Sequence, residues 1–201
     1  PMPDDVYILI PCFNESTVIR QTIETLLPLG HHIVIIDDGS ASSPWPLLRD
    51  LPGHFLRHPV NLGQGAALQT GMDYARAHGA RAVIHFDADG QHSHQDIPRF
   101  LDALAAGADV AVGSRFLRPE DRKRIPRAKR CLLKAARIVN GLFTGLWLTD
   151  AHNGFRAMNR KALDQIRLSE NRMAHATEII AQSMQMLGGK GEGSAGSGGS
   201  R

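Results

Sequence analysis

The chain has 201 residues, 42% of them hydrophobic and 21% charged, with a net charge of +3. That length supports one core without disulfide or metal staples, and the composition excludes a disordered or low-complexity protein. No apolar run approaches the ~20 residues of a spanning helix: the longest candidate, Ile138 to Leu148, is broken by Asn140, Gly141, Thr144 and Gly145.

In chain order, Val6–Ile10 reads as a short strand ending at Pro11, and Asn14 as the cap of a helix from Glu15 to about Leu27. His32–Ile36 is the second strand, closed by Asp37-Asp38-Gly39-Ser40. The Pro-rich stretch from Pro44 to Pro52 allows one short helix, and Phe55–Arg57 is a weak strand. A Gly-containing turn, Asn61 to Gly65, leads into a helix from Gln64 to about His78. Ala82–Phe86 is the next strand, Ile97–Ala106 the next helix, and Val110–Val112 a strand ending at Gly113-Ser114-Arg115. From about Arg127 the pattern is largely helical, through a loop at Thr149–Phe155, to a last helix near Ala174–Leu187. Strands separated by helices predict right-handed crossovers and a mostly parallel sheet covered on both faces. Residues 1–187 are expected to be one domain, and 188–201, ten of them Gly or Ser, a flexible tail or linker.

Every strand end on the predicted carboxyl edge carries polar residues, and ligands of open α/β sheets bind there. The most informative is Asp87-Ala88-Asp89-Gly90-Gln91. Carboxylates two residues apart in extended chain project to one side, and hard oxygen ligands suit Mg2+ or Mn2+. Asp-Gly is equally a good turn dipeptide, so this stretch alone admits a metal site or a turn. The phosphate-cradling patterns GxGxxG and GxxxxGK[ST] are absent. Ten histidines show no metal-ligand spacing, and only His92 and His94 are expected close to the chemistry. Cys12 and Cys131 are isolated, with no signal peptide pattern, so a reducing, cytoplasmic setting is expected.

The charge is unevenly distributed. Residues 118–137 hold nine Lys or Arg against Glu120 and Asp121, a local +7. Arg127, Arg130, Lys134 and Arg137 share one helical face, while Leu132, Ala135, Ala136, Val139, Phe143 and Leu146 make an apolar one. A basic amphipathic helix suits an anionic membrane surface or a phosphorylated lipid; an ordinary solvated face has the same spacing. No aromatic residues interleave with the charges, which argues against nucleic acid.

Six ordered segments carry a resemblance: ILIPCFNE (8–15), VIIDDGS (34–40), NLGQGAA (61–67), FDADGQH (86–92), GSRF (113–116) and NGFRAMNRKAL (153–163). Together they resemble family-2 inverting glycosyltransferases of GT-A fold, with spacing closest to the dolichyl- or polyprenyl-phosphate mannosyl/glucosyltransferase branch. The resemblance spans about residues 5–187. It implies a GT-A, Rossmann-like fold and a nucleotide-diphosphate sugar donor, a GDP- or UDP-hexose. Pro11, Phe13 and Glu15 would line the base site, Asp38 would take the base or ribose, and Asp87 the ribose. Ala88 and Asp89 would complete the nucleotide-sugar site, and Asp89 with Gln91 would hold Mg2+ or Mn2+ on the diphosphate. Arg115 and Arg130 match positions that contact the phosphate of a polyprenyl-phosphate acceptor, which implies a peripheral site at the cytoplasmic membrane face.

Two departures qualify the resemblance. Glu178 stands where saccharide-acceptor relatives often have a Thr-Glu-Asp cluster whose Asp is the base, but Ile179 follows it here. A phosphate acceptor is already an anionic nucleophile and needs no base, whereas a hydroxyl does. Family members also continue past the last helix with a further strand and a loop that closes over the donor, so the catalytic domain is expected to be incomplete at its C-terminus. The expected catalytic set is Asp89, Arg115, Arg130 and Glu178. The alternatives are transfer to a saccharide hydroxyl with Glu178 as base, and a nucleotide-sugar binding fragment without turnover.

Overall fold

The computed structural model describes residues 5–15, 18–88, 92–113, 154–169 and 178–183. Asp89, Gln91, Arg115, Arg130, the basic segment and the Gly/Ser-rich stretch lie outside the described residues. Six strands form one sheet: β1 (Val6–Cys12), β2 (His32–Asp37), β3 (His54–Arg57), β4 (Ala82–His85), β5 (Val110–Val112) and β6 (Arg156–Asn159), in the order β3-β2-β1-β4-β6-β5. β1 pairs in parallel with β2 and β4, and β2 with β3. β6 alone is reversed, antiparallel to both β4 and β5. The helices are α1 (Ile19–Leu26), α2 (Trp45–Leu48), α3 (Gln64–Ala77), α4 (Ile97–Ala105) and α5 (Arg160–Gln165), and residues 178–183 are also helical.

The near-continuous apolar strands follow from cover on both faces. Val6, Ile8 and Ile10 of β1 pack with Ile19, Ile23 and Leu26 of α1 and Ile97, Phe100 and Leu101 of α4. On the opposite face Leu9, Val34 and Ile36 pack with Ala67, Leu68, Met72 and Ala75 of α3 and with Leu163 of α5. Each fully buried Leu or Ile contributes about 1.5–3 kcal/mol relative to exposure, so these two layers dominate the fold's stability.

Three expectations need correction. β1 continues through Pro11 to Cys12. Alternate residues of a parallel strand bond to opposite neighbours: the Leu9 carbonyl accepts from Phe86 of the β4 side, and the Cys12 carbonyl from Asp38 after β2. The nitrogen of Pro11 therefore faces the β4 side, where pairing has already ended at Leu9, and its missing N–H costs no ladder bond. Asn14 does not cap α1, which begins at Ile19 after Val18 with no side-chain cap. Its φ of 56° turns it toward β2, where its N–H donates to Ser40 Oγ at 2.9 Å and its Oδ1 accepts from the Ala41 N–H at 3.0 Å. Finally, the segment expected to be largely helical contains β6, which supplies the centre of the sheet's second half. Asn159 ends that strand and caps α5, its Oδ1 accepting from the Ala162 N–H at 2.9 Å.

Candidate active site

Three parallel strands deliver their carboxyl ends to one cleft of about 580 Å3. β1 contributes Pro11, Cys12 and Phe13, with Glu15 beyond them; β2 contributes Asp38; the chain after β4 contributes Asp87 and Ala88. Asn61, Gly63 and Gln64, in the turn that opens α3, close the remaining wall. Pro11, Phe13, Glu15, Asp38, Asp87 and Ala88 are thus brought together in one cleft. Phe13 is 44% exposed, an open aromatic face at the cleft.

The two aspartates after β2 have different duties. Asp37 is fully buried: its Oδ1 accepts from the Ser40 N–H at 3.0 Å, and its Oδ2 lies 3.4 Å from Arg57 Nε. It shapes the turn and does not line the cleft. Asp38 does line it, yet is only 2% exposed. Its Oδ1 accepts from His58 Nδ1 at 2.7 Å and the Leu62 N–H at 2.9 Å, and its Oδ2 from the Gly63 N–H at 2.7 Å. A carboxylate has about four acceptor positions, so roughly one is left for a ligand. A carboxylate only accepts, so His58 carries its proton on Nδ1; Nε2 of that ring meets Thr70 Oγ1 at 2.9 Å. Gly39 allows this arrangement. Its φ is +71°, and a Cβ there would sit 2.3 Å from the Val60 carbonyl carbon. Any side chain at position 39 would push the 60–63 turn out of the cleft wall.

Asp87, which also lines the cleft, is held by two neighbours. Gln64 Nε2 donates to its Oδ1 at 3.0 Å, and the Asp87 backbone N–H donates to His92 Nδ1 at 3.1 Å. Next to it, the Ala88 carbonyl accepts from Thr22 Oγ1 of α1 at 3.2 Å, which fixes the point where the chain leaves toward Asp89. Cys12 is no nucleophile: burial, followed by the nearby carboxylates Asp37, Glu15 and Asp38, pushes its thiol up to about 12.

Glu178 is not among the residues lining this cleft. Its carboxylate accepts from the Ser169 N–H at 3.0 Å and from Ser169 Oγ at 2.5 Å, joining the 178–183 helix to the segment after α5. Sequence reasoning missed Gln64, Asn61 and Gly63 as lining residues. Their signal was the NLGQG turn immediately before α3, set aside because it lacks a complete phosphate motif.

Residues 7–167 match glycosyl transferase family 2. The chain belongs to that family. Among similar proteins, an uncharacterized protein of Methanocaldococcus jannaschii is 32% identical over 88% of this chain and 74% of its own length. The UDP-N-acetylglucosamine–dolichyl-phosphate N-acetylglucosaminyltransferase of Methanococcus voltae is 28% identical over 88% of this chain and 80% of its own. The polyprenol monophosphomannose synthase of Mycolicibacterium smegmatis is 30% identical over 81% of this chain and 64% of its own. Among solved structures, glucosyl-3-phosphoglycerate synthase from Mycobacterium tuberculosis, in complex with Mn2+, UDP and phosphoglyceric acid, matches with a TM-score of 0.67 at 20% identity, over 91% of this chain and 65% of that one. Mannosyl-3-phosphoglycerate synthase from Rubrobacter xylanophilus matches with a TM-score of 0.62 at 12% identity, over 98% of this chain and 78% of that one. These likenesses establish the GT-A fold for this family-2 glycosyltransferase. Among the described residues no helix is long and apolar enough to cross a membrane.

Proposed function

We propose that this glycosyltransferase moves a hexose, with inversion, from a nucleotide-diphosphate sugar to a polyprenyl phosphate. The observation that carries the donor half is the cleft: an aromatic face, three carboxylates and a Gly-containing turn converge at the tips of β1, β2 and β4. Phe13 offers its ring to a base, the remaining acceptor position of Asp38 suits a base N–H or ribose hydroxyl, and Asp87 suits the ribose. The acceptor half is supported by two relatives, a dolichyl-phosphate N-acetylglucosaminyltransferase of Methanococcus voltae and a polyprenol monophosphomannose synthase of Mycolicibacterium smegmatis.

Mg2+ or Mn2+ would be held by Asp89 and Gln91 together with diphosphate oxygens. These two residues directly follow Ala88, which lines the cleft, and precede His92, which bonds the Asp87 backbone. Their donors are hard oxygens, the kind both ions prefer. Among the described residues no group of three His, Cys, Asp or Glu is arranged to hold a metal. When bound, the ion neutralises the departing diphosphate. A phosphate oxygen of the acceptor attacks the anomeric carbon from the face opposite the diphosphate, whose bond to that carbon breaks. Arg115 and Arg130 would orient the acceptor by bidentate bonds to its phosphate. No general base is required, which agrees with a Glu178 carboxylate engaged by Ser169.

Melting curves with UDP, GDP and their hexoses, with and without Mn2+, test the donor site. Ligand at 100 times its dissociation constant should add roughly 2.7 kcal/mol of stability. Asp89→Asn should remove the metal-dependent part; an undiminished Mn2+ effect in that variant would defeat the assignment of Asp89.

A further inference from the structure

His92 does not line the cleft, yet it contacts both the backbone and the carboxylate of Asp87. The Asp87 backbone N–H donates to its Nδ1 at 3.1 Å, and an N–H cannot accept. Nδ1 must therefore present a lone pair, which places the ring proton on Nε2. That atom lies 3.4 Å from Asp87 Oδ2. One ring thus reads both the main chain and the carboxylate of the same residue.

The ring itself is fixed by aromatic packing. It stacks on Phe155 with centroids 4.8 Å apart and planes 15° from parallel, and meets Phe86 edge-on at 5.5 Å. Phe155 in turn packs on Phe86 and Phe100 in the core beneath the sheet. Gly154 also approaches Asp87: an added Cβ there would fall 2.4 Å from Asp87 Oδ2. The carboxylate sits in a slot whose walls come from the chain after β4 and the chain leading into β6.

We propose that His92 is a positioning residue: with Gly154 it clamps Asp87 in the orientation that receives the donor, and so sets nucleotide affinity. This rests on the reading that Asp87 meets the ribose. Partners that orient metal-ligating side chains typically cost roughly 10–100-fold in affinity when removed, and a loss of that order is expected for a carboxylate held to receive the donor.

Two readouts test it. In the ligand-free protein, nitrogen-15 spectra of the imidazole should show the Nε2–H tautomer, with the Asp87 amide protected from hydrogen exchange. A protonated Nδ1 overturns the clamp whatever the protein binds. Calorimetric titration of UDP and GDP with Mn2+ then compares variants. His92→Phe keeps a ring for Phe155 but removes both nitrogens, and should weaken nucleotide binding roughly 10–100-fold. His92→Asn loses the ring but returns an acceptor oxygen near the Nδ1 position, and should recover part of the affinity. Gly154→Ala leaves the ring intact and should reproduce the loss by displacing the carboxylate, which keeps the idea testable if His92→Phe fails to fold. Parental affinity in both His92→Phe and Gly154→Ala, or an Asn variant weaker than the Phe variant, overturns the proposal. A parent protein that binds neither nucleotide brings down the ribose reading instead, and the spectra still decide the clamp.

Discussion

Asp38 joins the tip of β2 to the turn before α3 through two accepted hydrogen bonds, and to His58 after β3 through a third. Asp38→Asn exchanges one acceptor oxygen for an NH2 group that faces a main-chain N–H or His58. A hydrogen bond to a charged group is worth about 1.5–3 kcal/mol, so a loss in that range is expected. For a domain of this size it appears as a fall in melting temperature of about 2–4 °C per kcal/mol. An unchanged melting temperature in calorimetry would show that the turn is held by other contacts. At this scale much of the site was legible: strand-end residues Pro11, Phe13, Asp38 and Asp87 announce themselves by following apolar runs. Gln64 and the His58–Asp38 pair did not, because their partners lie 23 and 20 residues away and nothing in local spacing encodes such a meeting.

Elements on the opposite, amino-terminal edge of the sheet bring together histidines that the sequence shows only as scattered. His32 stacks on Tyr7, and His54 lies between His32, Tyr74 and His78, with Tyr74 Oη 2.8 Å from His54 Nδ1. Burial, then the neighbouring His32 and His78, lowers the pKa of His54 below its ordinary 6.5; burial, then His32, does the same for His31. Between the folded and unfolded values the unfolded chain binds more protons, so acid favours unfolding. The contribution of these two histidines to stability should be full above pH 6.5 and decline below it until the folded-state values are passed. His54→Gln should flatten the decline in a pH series of urea melts. A slope identical to the parent's would assign the effect to other groups. The alternation of strand and helix was readable because the central strands β1, β2 and β4 are buried on both faces. β6 was not, since Arg156–Asn159 is four residues long and contains a buried Arg. Asn14 was read as a cap because its residue type suits one; its contacts to Ser40 and Ala41, across from β2, decided otherwise.

For the whole molecule, the two packed layers around the sheet account for the fold, and residues 190–201 offer them no apolar side chain but Ala195. Deleting 190–201 should leave the melting temperature within about 1–2 °C, since such changes are typically within ±0.5 kcal/mol. A clear loss would assign that stretch a packing role. The parallel half of the sheet and the cleft at its edge, proposed to take the donor, follow from sequence periodicity and strand-end chemistry, whereas the proposed acceptor rests on Arg115, Arg130 and the resemblance that picks them out. Acceptor choice is therefore where measurement counts most. The protein is incubated with labelled UDP- and GDP-hexoses, Mn2+ and a short-chain polyprenyl phosphate, and label is followed into the lipid fraction. The predicted result is label entering lipid in proportion to acceptor. Hexose released to water alone, or label passing only to a soluble glycan while the lipid stays blank, would contradict it.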